Sequence, residues 1–394
     1  MTTAALPRPA EITALPHSGL SVAEFYSMHF MAALVPVTAG LLLYGWRAAV
    51  AMLLVGLGTT AGVAVWRRIG SRGKQLSYPH AMWLALLLAM MLPAHLASGP
   101  TATVEQASWY LLPAAGLLLA IFLWILGGLG AGRVNPVLIT YLFIAALFVQ
   151  LLVPHWVLQR NHLFVGDVLN GVPSETRSAE TDPWTHRYKI PGRDAEYSAP
   201  ASEALTRYTA TSSRSPRGWL PIQSLLRDEL PPLEDLIIGG HPGPIGAGSA
   251  VAVIMGGLFL LYRGLIDFRI PLIIIMVEMA CLLIFPTPSL LSEPTQWHWI
   301  VSRRPEVGWA TGITFANYEL MASPSLFMAF FLATAPSIRP MSHRARIIYA
   351  TVAGAGTAAL QLYMSVSIGP YLALLIASLM TPALDMWFRP KAMI

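Results

Sequence analysis

The chain is poor in charge and nearly free of cysteine. Asp, Glu, Lys and Arg make up 11% of its 394 residues, against roughly 25% in an average soluble domain, while 55% are hydrophobic. A water-soluble core of this length has no place for that much apolar surface, so a single globular body in water is excluded. The one cysteine, Cys281, lies inside an apolar run. A disulfide framework and an iron–sulfur ligand set supplied by this chain alone are therefore excluded, and any such cluster would sit on a partner. There is no Walker A, GxSxG or HExxH motif, and Gly127-Gly-Leu-Gly-Ala-Gly132 follows no strand, which removes the usual nucleotide-binding turn. His155, His162, His186 and His241 lack the spacing of a ligand set, so no metal is expected. No catalytic set is recognised either.

What is present is a series of apolar runs of roughly twenty residues, the length a helix needs to cross about 30 Å of hydrocarbon. Helices are the natural spanning element, because backbone facing lipid must satisfy its own hydrogen bonds. The runs place helices near 26–44, 48–66, 80–97, 109–128, 135–153, 248–262, 270–287, 319–337, 345–365 and 369–387. The expected fold is an all-α membrane protein of about ten transmembrane helices, and ten spans return the chain to the side from which it started. Arg67, Arg68, Arg72, Lys74, Arg263, Arg269, Arg339, Arg344, Arg346, Arg389 and Lys391 then share one face. That face reads as the cytoplasm, with both termini on it, in a bacterial inner membrane. The net charge of +5 is explained in this way. No basic patch interleaved with aromatics appears, so no nucleic-acid partner is expected.

Residues 1–25 are polar and Pro-rich without an apolar signal core, and read as a cytoplasmic tail. Residues 26–153 form a first five-helix half and 248–387 a second, with 388–394 as a short cytoplasmic tail. Between the halves, 154–247 reads as an ordered loop outside the cytoplasm. An odd number of spans per half gives the halves opposite orientations, the arrangement of inverted repeats. The third helix of each carries proline near both ends, at Pro79 and Pro93 and at Pro324 and Pro336, a pattern of interrupted helices.

Three stretches carry a resemblance. They are Leu126-Gly-Gly-Leu-Gly-Ala-Gly-Arg-Val-Asn-Pro136, then Gly239-Gly-His-Pro-Gly-Pro-Ile-Gly-Ala-Gly-Ser249, and Ala329-Phe-Phe-Leu-Ala-Thr-Ala-Pro336 followed by Thr381-Pro-Ala-Leu-Asp385. In this order and spacing the chain resembles the RnfD and NqrB membrane subunits of the Rnf and Na+-translocating NADH:quinone oxidoreductase complexes. The resemblance implies a subunit of a membrane electron-transfer complex, working with other subunits in the lipid bilayer, that couples redox change to ion movement. It also implies FMN attached covalently to a threonine of the outer loop, and the matching position is Thr211, within Leu205-Thr-Arg-Tyr-Thr-Ala-Thr211. The sequence departs from the family pattern at Leu205, Tyr208 and Thr209, which stand for Asp, Ser and Gly. Ala247-Gly248 stand for Glu-Thr, and Ala335 for Asp.

Two carboxylates are candidates for an ion path. Glu278, in Ile273-Ile-Ile-Met-Val-Glu-Met-Ala-Cys281, falls near mid-membrane, and Asp385 lies in the last helix, within an i,i+4 step of Arg389. Two alternatives stay open beside the redox subunit: a flavin-free scaffold subunit, and an ion channel or transporter on the same fold.

Overall fold

The computed structural model describes residues 22–69, 78–97, 109–126, 134–154, 156–158, 188–189, 195–197, 200–210, 221–289, 296–300 and 308–388. These residues are mostly helical. The first group is α1 (Val22–Tyr44), α2 (Trp46–Ile69), α3 (Tyr78–Met91), α4 (Leu111–Ile125) and α5 (Pro136–Leu152). Among the described residues three helices are long and apolar enough to cross a membrane, over Glu24–Tyr44, Trp46–Ile69 and Gly369–Trp387. Shorter apolar helices occupy Tyr78–Met91, Leu111–Ile125, Pro136–Leu152 and Ala250–Tyr262. Their outer surfaces are apolar too: Leu42, Leu53, Leu57, Met255, Leu258 and Leu379 are exposed. Helices that are hydrophobic on the outward face as well as the inward one belong in lipid.

After α5 the chain builds a small outer layer. Strands β1 (Trp156–Leu158), β2 (Tyr188–Lys189) and β3 (Ala195–Tyr197) form an antiparallel sheet with β3 in the middle. Helix α6 (Ala201–Ala210) and the short helix Leu233–Ile238 follow. The second group of long helices is α7 (Ala250–Tyr262), α8 (Arg269–Ile284), α9 (Gly308–Ala322), α10 (His343–Tyr363) and α11 (Gly369–Trp387), with the hairpin β4 (Thr287–Ser289) and β5 (Gln296–His298) between α8 and α9.

In both groups the second helix packs along the fourth, α2 on α4 and α8 on α10. The contacts use small residues that let backbones approach closely. A side-chain carbon added at Gly116 would fall on the Val55 carbonyl, and one at Gly354 would lie 2.6 Å from the Ile274 carbonyl. The first helices of the two groups, α1 and α7, also meet.

Two expected helices are interrupted. The segment 80–97 is helical only to Met91 and resumes as a single tight turn at Ala94–Ala97. Where the sequence predicts one helix over 319–337, the structure has α9 ending at Ala322, a break at Ser323 and Pro324, and then Ser325–Phe327 and one wide turn, Met328–Leu332. Each break falls at a proline, which has no N–H to give to the helix. At the first break the loop that leads into α7 supplies the missing donors. Ile245 N donates to the Leu92 carbonyl at 3.1 Å and Gly246 N to the Met90 carbonyl at 2.8 Å. Gly246 has to be glycine, since a side-chain carbon there would lie 2.5 Å from the Met90 Cβ.

Candidate functional site

Glu278 sits about nine residues along α8, or ~14 Å at 1.5 Å per residue, close to half of a ~30 Å bilayer core. It is fully buried within the chain. The break after α9 is packed against it. Ser325 Oγ donates to Glu278 Oε1 at 2.6 Å, and Gln361 Nε2, from α10, donates to Ser325 Oγ at 3.0 Å. Ser323 and Ser325 hydroxyls bond to each other, and Ser325 N donates to Ser323 Oγ at 3.3 Å. The break thus turns two hydroxyls inward, where an unbroken helix would have kept its polar backbone to itself.

A second acid completes the cluster. Glu319, one turn before the break on α9, is also fully buried, and its charge faces that of Glu278. Among the described residues four oxygens here have no hydrogen-bond partner: Glu278 Oε2, both carboxyl oxygens of Glu319, and Gln361 Oε1. Neither carboxyl meets a Lys, Arg or His among those residues. Two acids and an amide oxygen therefore lie together without a balancing charge. A lone carboxylate at the bilayer centre costs about 2.5–3.5 kcal/mol on insertion scales, and such groups mark ion and proton pathways.

The outer layer roofs this cluster. Leu205, Tyr208, Ile222, Leu225, Leu230 and Leu236 form one buried core with Leu282, Phe315, Tyr318 and Leu362. Tyr318 donates to the Pro231 carbonyl at 3.0 Å, and Thr206 Oγ1 accepts from Val366 N at 3.2 Å. The segment 205–210 of the expected flavin peptide is the last part of α6, with Leu205 and Tyr208 committed to that core. Thr211 lies outside the described residues. The described part of the peptide is therefore a packing helix of this layer.

Asp385 is not in the buried cluster. It lies on the opposite, arginine-rich face, where its Oδ1 accepts from Met341 N at 2.9 Å. The expected partner Arg389 lies outside the described residues. On the same face Arg346 Nη1 donates to Asp267 Oδ2 at 2.8 Å. Burial pushes the Asp267 carboxyl up, but the Arg269 backbone N–H and the Arg346 guanidinium outweigh it and hold the group below its ordinary value of 3.8.

Sequence reasoning singled out Glu278 and missed Glu319, Gln361 and the two serines. Placing a helix start at 319 put Glu319 at a span end, where a carboxylate needs no explanation. The signal was Glu319-Leu-Met-Ala-Ser-Pro-Ser325, an acid followed five residues on by a proline flanked by serines.

Apolar helices with exposed apolar faces, two of them broken beside a buried acidic pair, define a membrane-embedded protein. The chain belongs to the NQR2, RnfD, RnfE family, whose model matches residues 12–394. It is similar to the D subunit of the ion-translocating oxidoreductase complex of Halorhodospira halophila, at 25% identity over 393 residues, covering 97% of this chain and 95% of that one. The D subunit of the proton-translocating ferredoxin:NAD(+) oxidoreductase complex of Clostridium ljungdahlii is 25% identical over 198 residues, 50% of this chain and 53% of its own. Its counterpart in the Na(+)-translocating ferredoxin:NAD(+) oxidoreductase complex of Acetobacterium woodii is 26% identical over 165 residues, 41% of this chain and 43% of its own.

Proposed function

We propose that this chain is the membrane subunit of a Rnf-type electron-transfer complex in the bacterial inner membrane, and that ion passage through it uses the acids at the break of α9. The full-length relative is named for ion translocation, and the partial ones for proton and for Na+ translocation coupled to a ferredoxin:NAD(+) reaction. In this reading the two five-helix groups are inverted repeats, with both termini and the arginine-rich face in the cytoplasm and the layer around α6 outside. Donor and acceptor sites belong to the other subunits. FMN on Thr211 is part of the proposal and rests on the family resemblance.

The observation that carries the reading is the Glu278–Glu319 pair, fully buried inside the helical body beside the break after α9, with no basic partner among the described residues. A chain that only held neighbouring subunits together would gain stability from apolar residues at both positions, since a buried charge without a partner is costly.

The test is the assembled complex in proteoliposomes, driven by its electron donor. Glu278→Gln is expected to leave electron transfer within about twofold of wild type while ion uptake falls more than about tenfold, a change of about 1.4 kcal/mol or more in the ion step. Equal losses in both rates would overturn the ion role, and unchanged uptake would remove Glu278 from the path.

A further inference from the structure

The first helices of the two groups, α1 and α7, run in opposite directions and touch where α7 has glycine. A side-chain carbon added at Gly256 would lie 2.7 Å from the Ala32 carbonyl. That contact is about six residues from the end of α7, or ~9 Å at 1.5 Å per residue. Beyond it, toward the arginine-rich end, α7 carries Phe259 and Tyr262 where it meets Met28 and Met31 of α1. These larger side chains hold the helices apart, and a cleft of about 410 Å³ opens between them.

The walls of the cleft are apolar, with Met28 and Met31 on one side and Phe259 on the other, and its mouth is charged. Arg263, just past the end of α7, and Glu24, in the first turn of α1, both line it. The Arg263 guanidinium has five N–H donors, and its one bond among the described residues runs to the Met28 thioether at 3.6 Å. A thioether is a weak acceptor, and no carboxylate among those residues lies within ion-pair distance of this arginine. Outward from the cleft the surface stays apolar. Met255, Leu258 and Tyr262 form an exposed stripe along α7, and Met31 and Leu34 are exposed on α1. We propose that the cleft holds one phosphatidylethanolamine molecule from the leaflet on the arginine-rich side, its phosphate on Arg263, its ammonium on Glu24 and an acyl chain along Met28, Met31 and Phe259.

A soluble anion would meet Arg263 and leave the apolar walls uncovered, whereas an acyl chain alone would leave the guanidinium unanswered. A phospholipid answers both, because arginine takes a phosphate through two parallel N–H bonds. Basic pockets between membrane helices on the cytoplasmic side hold headgroups in this way. Glu24 selects among the headgroups. A purely anionic one such as phosphatidylglycerol brings negative charge to a carboxylate, and like charges in contact are costly. The ammonium of phosphatidylethanolamine has N–H donors to give it. Glu24 already holds a contact of its own, but an ionised carboxylate accepts several donors at once, so the ammonium joins that contact. Phosphatidylcholine has the same net charge and a nitrogen without any N–H. Seated in the cleft, the lipid bridges α1 and α7 and stabilises the contact between the two groups of helices. Neither Glu278 nor Glu319 lines the cleft, so loss of lipid and loss of ion uptake are separable.

The experiment is native mass spectrometry of purified, delipidated full-length protein from mixed micelles containing phosphatidylethanolamine, phosphatidylglycerol or phosphatidylcholine, with thermal melts of the same samples. Wild type is expected to retain one phosphatidylethanolamine and to melt a few degrees higher with it, since a ligand of the folded state stabilises that state. The other two lipids are expected to bind about tenfold more weakly, in line with loss of one charge-assisted bond. Arg263→Gln is expected to weaken phosphatidylethanolamine binding by about tenfold or more. Glu24→Gln is expected to bring phosphatidylethanolamine and phosphatidylglycerol to within about twofold of each other, once the carboxylate no longer repels the anionic headgroup. Both side chains are exposed, so melts of these variants without added lipid are expected to match wild type. Met31→Trp fills the cleft from an exposed position and keeps both charges, and it is expected to displace the lipid as well. Wild type that retains phosphatidylglycerol as firmly as phosphatidylethanolamine overturns the headgroup assignment. Wild type that retains no lipid, or retention unchanged in Arg263→Gln and Met31→Trp, overturns the site.

Discussion

Leu205 stands where the family pattern has an aspartate, and the structure gives that leucine a use. Its side chain is fully buried in the outer core with Phe315, Tyr318 and Leu362, while Tyr208, standing for a serine, packs edge-on to Phe315 with ring centroids 6.0 Å apart. Both departures exchange a polar position for apolar packing against α8, α9 and α10, the helices that carry Glu278, Glu319 and Gln361. Restoring the carboxylate with Leu205→Asp is therefore expected to destabilise the protein by about 2–5 kcal/mol, combining a lost apolar contact with a buried unpaired acid. A thermal melt in detergent would read this, and an unchanged midpoint would show that α6 does not seal the site. Thr211→Ala is the control for the flavin. It is expected to leave the melt unchanged and to remove flavin fluorescence from the denatured band. A colourless wild-type band, after co-expression with a flavin transferase, would leave the flavin-free scaffold as the standing alternative.

At the level of elements, the breaks matter more than the spans. The contact of α2 with α4 is set by glycines, and Gly116→Val would drive a branched side chain onto the Val55 carbonyl and the Thr59 backbone. Overpacking of this kind costs about 1–3 kcal/mol. The variant is expected to lower the thermal midpoint and reduce the yield of folded protein. Gly264→Ala, at a turn residue with open space around it but φ of 66°, is the milder comparison, with a strain cost of about 1 kcal/mol. The long apolar runs were legible in the sequence because lipid-facing and core-facing residues are both apolar, which leaves the run unbroken by charge. For the same reason the run hid its own interruptions. Hydropathy does not distinguish Met90-Met91-Leu92 as a helix from the same residues receiving hydrogen bonds from the loop at Ile245 and Gly246. The acid at 278 was legible since it breaks an apolar run from within. Glu319 was not, because Glu278, whose charge it faces, comes from another helix, and only folding brings the two acids together.

On the scale of the whole molecule, polarity is divided between two ends. One end holds Arg263, Asp267, Arg339, Arg346 and Asp385, tied by the Arg346–Asp267 pair and by the Asp385 bond to Met341 N. The other carries the small sheets and α6, with the acidic cluster beneath them. Arginines resist transfer across the membrane in short loops, so the first end should face the cytoplasm. In a Cys281→Ser background, Met341→Cys, exposed on the arginine-rich end, is expected to react with a membrane-impermeant maleimide only after the cells are opened. Trp299→Cys, exposed beside the β4–β5 hairpin, is expected to react in intact spheroplasts. The reverse pattern would place α6 and the peptide ending at Thr211 in the cytosol.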